Sequence, residues 1–133
     1  MEHKGSQVKF LTTLLCFLML YGCSENELEN ASASYKSNHD YESLAKIHAS
    51  LTEGMRKSDV EMLLGESDYS PIEGQYYYSS DRYSPIEGSG NPPTTANVGL
   101  IVEYRITEYP GDGTIKSILT DRLQGYYFGP IGE

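Results

Sequence analysis

Between Ser58 and Gly65 the chain marks both ends of a helix, and no other stretch constrains the fold as closely. Ser58 and Glu61 form an S-x-x-E capping box, in which the Ser58 hydroxyl accepts from the Glu61 N–H and the Glu61 carboxylate from the Ser58 N–H. Asp59 and Glu61 set negative charge at the positive end of the helix dipole. Val60, Leu63 and Leu64 recur at spacings of three and four and make one apolar face. Gly65 stops the helix, because the residue after a helix often needs φ > 0. Upstream, Asp40 to Leu51 reads as a preceding helix. Leu44, Ile47, His48 and Leu51 share a face, Tyr41 lies one turn earlier, and Asn38 or Asp40 supplies the cap. Burying Leu44, Ile47 and Leu51 contributes about 1.5–3 kcal/mol each. His48 at the edge of that face reads as a hydrogen-bonded structural residue, and His39 as a loop residue.

After Gly65 the hydrophobic period changes from helical to alternating. Gln75 to Ser79 is expected to be a strand, with Tyr76 and Tyr78 on one face and Tyr77 on the other. Leu100 to Thr107 is the clearest strand: Leu100, Val102, Tyr104 and Ile106 alternate with Ile101, Glu103, Arg105 and Thr107. Pro110-Gly111-Asp112-Gly113 is a turn, and it lacks the oxygen ligands of a calcium loop. Thr114 to Leu123 completes a hairpin. Two helices followed by three antiparallel strands, ααβββ, make an α+β domain with the helices on one face of the sheet. Ser80 to Asn97 is rich in Ser, Gly, Pro and Asn and is expected to be a mobile loop between the first two strands. Tyr-Ser-Pro-Ile-Glu-Gly occurs twice, at Tyr69–Gly74 and Tyr83–Gly88. It reads either as a doubled recognition epitope or as a duplication that lengthened a loop, with the second favoured.

Residues 1–22 read as a targeting segment. Lys4 and Lys9 precede an apolar run, Phe10 to Tyr21, too short to span a bilayer of about 30 Å. The run ends in Leu20-Tyr21-Gly22-Cys23, which resembles a bacterial lipobox with Cys23 as the lipidated residue. Ser24 after the cysteine points to the outer membrane, with the domain facing the periplasm. Cys16 leaves with the signal and Cys23 carries the lipid, so the mature chain has no disulfide and its core alone must hold it. Residues 23–38 are polar and lack periodicity, and are expected to be a flexible tether with a reach of about 20 Å. The single domain is then 39–133, with a core burying about 60–70% of its unfolded surface.

Gly54-Met55-x-x-Ser58-x-Val60-x-x-Leu63-Leu64-Gly65 resembles the signature of the SmpA/OmlA family. That family contains the BamE-type lipoproteins of the outer-membrane β-barrel assembly machine, and its fold resembles the repeat of the β-lactamase-inhibitor proteins. The resemblance implies a BamE-like domain and a membrane-anchored, protein-binding accessory in outer-membrane protein assembly.

The remaining chemistry is sparse. H-E-x-x-H, P-loop, G-x-S-x-G and C-x-x-C motifs do not occur in the sequence. No pair of carboxylates is placed as glycoside hydrolysis requires. The expectation is a non-enzyme without metal or cofactor. The mature chain has 8 basic and 18 acidic residues, which argues against nucleic acid and against adhesion to anionic head groups by general charge. Tyrosine is in excess, 12 in the whole chain, of which only Tyr21 leaves with the signal. Tyrosine offers large contact area with a polar tip and is enriched in interfaces. Tyr76, Tyr77, Tyr78, Tyr83 and Arg105 are therefore the candidate partner-binding residues, with Tyr126-Tyr127-Phe128 exposed on at least one face. A scaffold that binds envelope proteins is the leading reading. A periplasmic inhibitor or binding module, acting on a hydrolase or a cell-wall ligand, is the alternative.

Overall fold

The computed structural model describes residues 25–132 as an α+β domain of three helices and two antiparallel sheets. The lipobox, Cys23 and the targeting segment lie outside the described residues.

The first element corrects an expectation. Residues 25–38, expected to be tether, form a helix, α1. Leu28, Ala31, Ser32 and Tyr35 recur at helical spacing and face the core, with Tyr35 fully buried. Tyr35 donates its hydroxyl to the Ser79 carbonyl at 2.7 Å, and Ser32 Oγ donates to the Leu63 carbonyl at 2.7 Å. His39 at φ 53° then turns the chain into α2, Tyr41–Ser50. Asp40 caps α2 by accepting from the Ser43 N–H. Leu44, Ile47 and Leu51 are buried as expected.

α3 spans Lys57–Leu64. Its N-cap is Arg56, and no side chain caps it, so the Ser58–Glu61 box does not form. The backbone of 121–123 takes over that role. Arg56 bridges Arg122, Gly54 N–H donates to the Leu123 carbonyl, and Lys57 N–H donates to the Asp121 carbonyl. The chain is thus held extended up to Arg56, and Ser58 falls inside the first turn. Val60 and Leu64 are buried, Leu63 is half-buried, and Gly65 at φ 75° ends the helix.

The main sheet has the order β1-β2-β3-β6, where β1 is Tyr69–Ile72, β2 Gln75–Pro85, β3 Thr95–Glu103 and β6 Gly125–Ile131. It has four strands where three were expected. β2 and β3 run through much of the expected mobile loop, pairing Tyr83 with Asn97 and Pro85 with Thr95. The long strand expected over Leu100–Thr107 breaks at Tyr104, whose N–H donates to the Gly74 carbonyl. Beyond the break, β4 (Arg105–Glu108) leaves the sheet and pairs only with β5 (Lys116–Leu119) as a separate ribbon. Ile106 is therefore exposed, although it continues the alternation of the buried Leu100, Val102 and Tyr104. β6 takes the place beside β3 that the third strand was expected to fill.

Both copies of the repeated hexapeptide do the same local work. Tyr69–Ile72 and Tyr83–Pro85 are strand, and each Ile-Glu-Gly enters a turn whose Gly, Gly74 or Gly88, has positive φ. A turn with φ > 0 at its third residue requires Gly or Asn there. The core lies between the helices and one sheet face, where Tyr78, Leu100, Val102 and Tyr104 meet Leu44, Ile47, Val60 and Leu64.

Candidate functional site: the open face of the sheet

Strand alternation divides the sheet residues. Tyr76, Tyr78, Leu100, Val102, Tyr126 and Phe128 face the helices; Tyr77, Ile101 and Tyr127 face the other way. Tyr77 pairs with Ile101, Ile101 with Tyr127, and Tyr69 with Tyr77. One row of large side chains, Tyr69–Tyr77–Ile101–Tyr127, thus crosses all four strands on the face that no described helix covers. Tyr69 and Tyr77 meet edge to face, with centroids 5.7 Å apart and planes at 87°.

Beside this row lies a cleft of about 710 Å³. Tyr69, Pro71, Tyr77 and Tyr83 give its aromatic and apolar walls, Ile131 closes one side, and Asp68, Ser79 and Asn97 supply polar groups. Gly99 lies in the strand beneath. A Cβ there would run into the Tyr78 carbonyl oxygen and the Ile131 side chain. Asp68 is fixed: its Oδ2 accepts from Ser79 N–H at 2.8 Å and Ser79 Oγ at 2.9 Å, and its Oδ1 lies 3.4 Å from His39 Nε2. Asn97 Nδ2 donates to the carbonyls of Ser80 and Arg82, holding the irregular stretch of β2 between Ser79 and Tyr83.

The expected partner residues do not all meet. Tyr77 and Tyr83 line the cleft. Tyr78 is 2% exposed, and its hydroxyl donates to the Gly65 carbonyl under the helices, so it belongs to the core. Tyr76 is half-buried on the same covered face, where Lys57 Nζ donates to its hydroxyl at 3.1 Å and lies over its ring. That hydrogen bond is the main cause holding the Lys57 ammonium above its ordinary range. Arg105 folds back on Glu103, with Nη2 donating to Oε2 at 2.8 Å, and covers Gly74. It is bound in a bidentate pair rather than offered to a partner. His48 stacks on Phe128 at 4.9 Å, as a packing residue.

Asp68, Tyr69, Asn97 and Ile131 were not named as partner-binding residues from sequence, whereas Tyr127 was expected to be exposed on at least one face. The signal for Tyr69 was present, since it opens the first copy of the repeat as Tyr83 opens the second. No protein-family model, curated protein or solved structure matches the chain. Among the described residues, no group of three or more His, Cys, Asp or Glu is placed to hold a metal, and no helix is long and apolar enough to cross a membrane.

Proposed function

We propose that this chain is an outer-membrane lipoprotein, anchored through Cys23 and facing the periplasm, that binds other envelope proteins through the open face of its sheet. It acts as a scaffold or accessory in envelope assembly and carries no catalysis of its own. The observation that carries this reading is the tyrosine row of Tyr69, Tyr77 and Tyr127 around Ile101, on a face that none of the described helices covers. An antiparallel sheet can leave one face to water, but a polar surface is then the usual choice. Large aromatic side chains gathered there suit a partner whose burial of them anchors the complex.

The edges of the sheet are less suited to binding. β1 and β6 are its edge strands, and each contains a proline, Pro71 and Pro130. Proline lacks an N–H and blunts pairing with another strand. The face, not the edge, is therefore the working surface. Kinship with the SmpA/OmlA lipoproteins draws support from α2 and α3 packed on an antiparallel sheet, with α1 and β1 added to that plan and β6 in the place of its third strand. The helical 25–38 also changes how the anchor works. Only Ser24 separates Cys23 from the first described helical residue, so the lipid would attach close to a helix that itself packs on the core.

Two measurements test this. Cys23→Ala should leave an unprocessed precursor in the inner membrane; a soluble, processed periplasmic protein contradicts lipidation. A pull-down of the lipidated protein from detergent-solubilised envelopes should recover membrane-assembly subunits. Recovery of a soluble hydrolase instead supports an inhibitor.

A further inference from the structure

We infer that the cleft beside the tyrosine row receives the positively charged side chain, Arg or Lys, of an extended segment of the partner protein. The inference rests on the open face being the binding surface and specifies what that surface recognises.

Three features converge on a cation. Tyr69 and Tyr77 stand at 87° to one another and form an aromatic corner. Tyr83, 66% exposed, comes from the second copy of the repeat and lines the same cleft. The faces of such rings attract ammonium and guanidinium groups. Next to the corner, Asp68 is the one charged side chain among the described residues lining the cleft. Ser79 fixes its Oδ2, and the side chain remains 38% exposed. A carboxylate oxygen has two acceptor sites, so Oδ1 can accept from a ligand while it faces His39. Among the described residues, His39 is the basic group that Asp68 faces, and no Lys or Arg lines the cleft. Arg82, the neighbour of Tyr83, turns to the other side, stacking 3.4 Å from the Tyr41 ring centroid and pairing with Glu42. The chain's net charge of −9 favours a basic partner in addition.

The shape of the site argues for an extended occupant. Tyr77 and Tyr83 are six residues apart on β2, a distance of up to about 20 Å. The repeat thus has a role: its two tyrosines, Tyr69 and Tyr83, both line one cleft.

The test uses the full-length lipidated protein in detergent micelles and fluorescein-labelled peptides Thr-Val-Thr-X-Thr-Val-Thr, with X as Arg, Lys, norleucine or Glu. Fluorescence anisotropy should show the Arg and Lys peptides binding at least about tenfold more tightly than the norleucine peptide, with the Glu peptide weakest. High salt should narrow that difference. Asp68→Asn and Tyr83→Ala should each remove most of the preference, whereas Tyr83→Phe, which keeps the ring face, should retain it. Equal affinity for norleucine and Arg overturns the inference. So does absence of binding by every peptide, or displacement of the Arg peptide by chitotetraose with no charge preference. If these peptides fail while variants of Tyr77 and Tyr127 still lose the partner in envelopes, the cationic occupant falls and the open-face reading stands.

Discussion

Asp40 holds the start of α2 through both carboxylate oxygens. Oδ2 accepts from the Ser43 N–H at 3.1 Å and Oδ1 from Ser34 Oγ at 2.8 Å. Desolvation works against its charge, but the hydrogen bonds from Ser43 and Ser34 outweigh it and hold the carboxyl below its ordinary range. A lowered pKa contributes stability at neutral pH that is lost as pH falls through the folded-state value. Asp40→Ala should cost about 0.5–2 kcal/mol in denaturant unfolding, whereas Ser58→Ala should stay within about 0.5 kcal/mol because Ser58 caps nothing. The capping box at Ser58 was legible and did not form. A local motif cannot see the distant 121–123 segment that holds Arg56 extended. Tyr104 presents the opposite case. It is 1% exposed and packs edge-on to Tyr76, and its hydroxyl has no hydrogen-bond partner among the described residues. Tyr104→Phe should therefore leave stability unchanged or raise it by up to about 1 kcal/mol. A loss above that amount shows that the hydroxyl is engaged.

α1 is the element that most changes the picture of the molecule. Its sequence offered two large apolar residues, Leu28 and Tyr35, a full seven residues apart, with small Ala31 and Ser32 between them. Small residues give weak hydrophobic periodicity yet allow a helix to sit close to its neighbours. Tyr35→Ala should cost about 3–5 kcal/mol, as for other large aromatic core residues. A change near zero in the unfolding midpoint restores the tether. The helices α2 and α3, and the alternation of Leu100 through Tyr104, were readable because each depends on local spacing. Alternation alone could not reveal that Ile106 joins a second ribbon, since period two says which face a residue takes and not which sheet. β6 was obscured by its composition, Gly-Tyr-Tyr-Phe-Gly-Pro-Ile, because Gly and Pro dilute the strand pattern. Of the site, Tyr77 and Tyr83 were legible as tyrosines in strand or loop. Asp68 and Asn97 were not, because Asp68 reaches the cleft through its hydrogen bonds to β2 and Asn97 through the register of β3 against β2.

At the scale of the whole molecule, three buried tyrosines tie stability to pH. Burial, with smaller contributions from Asp68, Glu61 and neighbouring tyrosines, pushes the Tyr35, Tyr78 and Tyr104 hydroxyls well above their ordinary value of 10.0. Below that value both states keep these protons. Above it the unfolded chain ionises while the folded one does not, so folding stability falls as pH rises. The slope is about 1.4 kcal/mol per pH unit for each tyrosine. Denaturant midpoints should be flat as far as these groups govern them between about pH 7 and 9, then drop steeply above about pH 10.

The same division of tyrosines, three inside and a row outside, is the basis of the functional account. The most direct test is the double variant Tyr77→Ala with Tyr127→Ala, expressed as the lipidated protein and compared with wild type for partner recovery from detergent-solubilised envelopes, alongside its denaturant midpoint. Both side chains lie on the uncovered face, with Tyr127 51% exposed. The account predicts that partner recovery falls at least about tenfold while stability changes by less than about 1 kcal/mol. Undiminished recovery from a folded variant contradicts it, because the working surface then lies elsewhere.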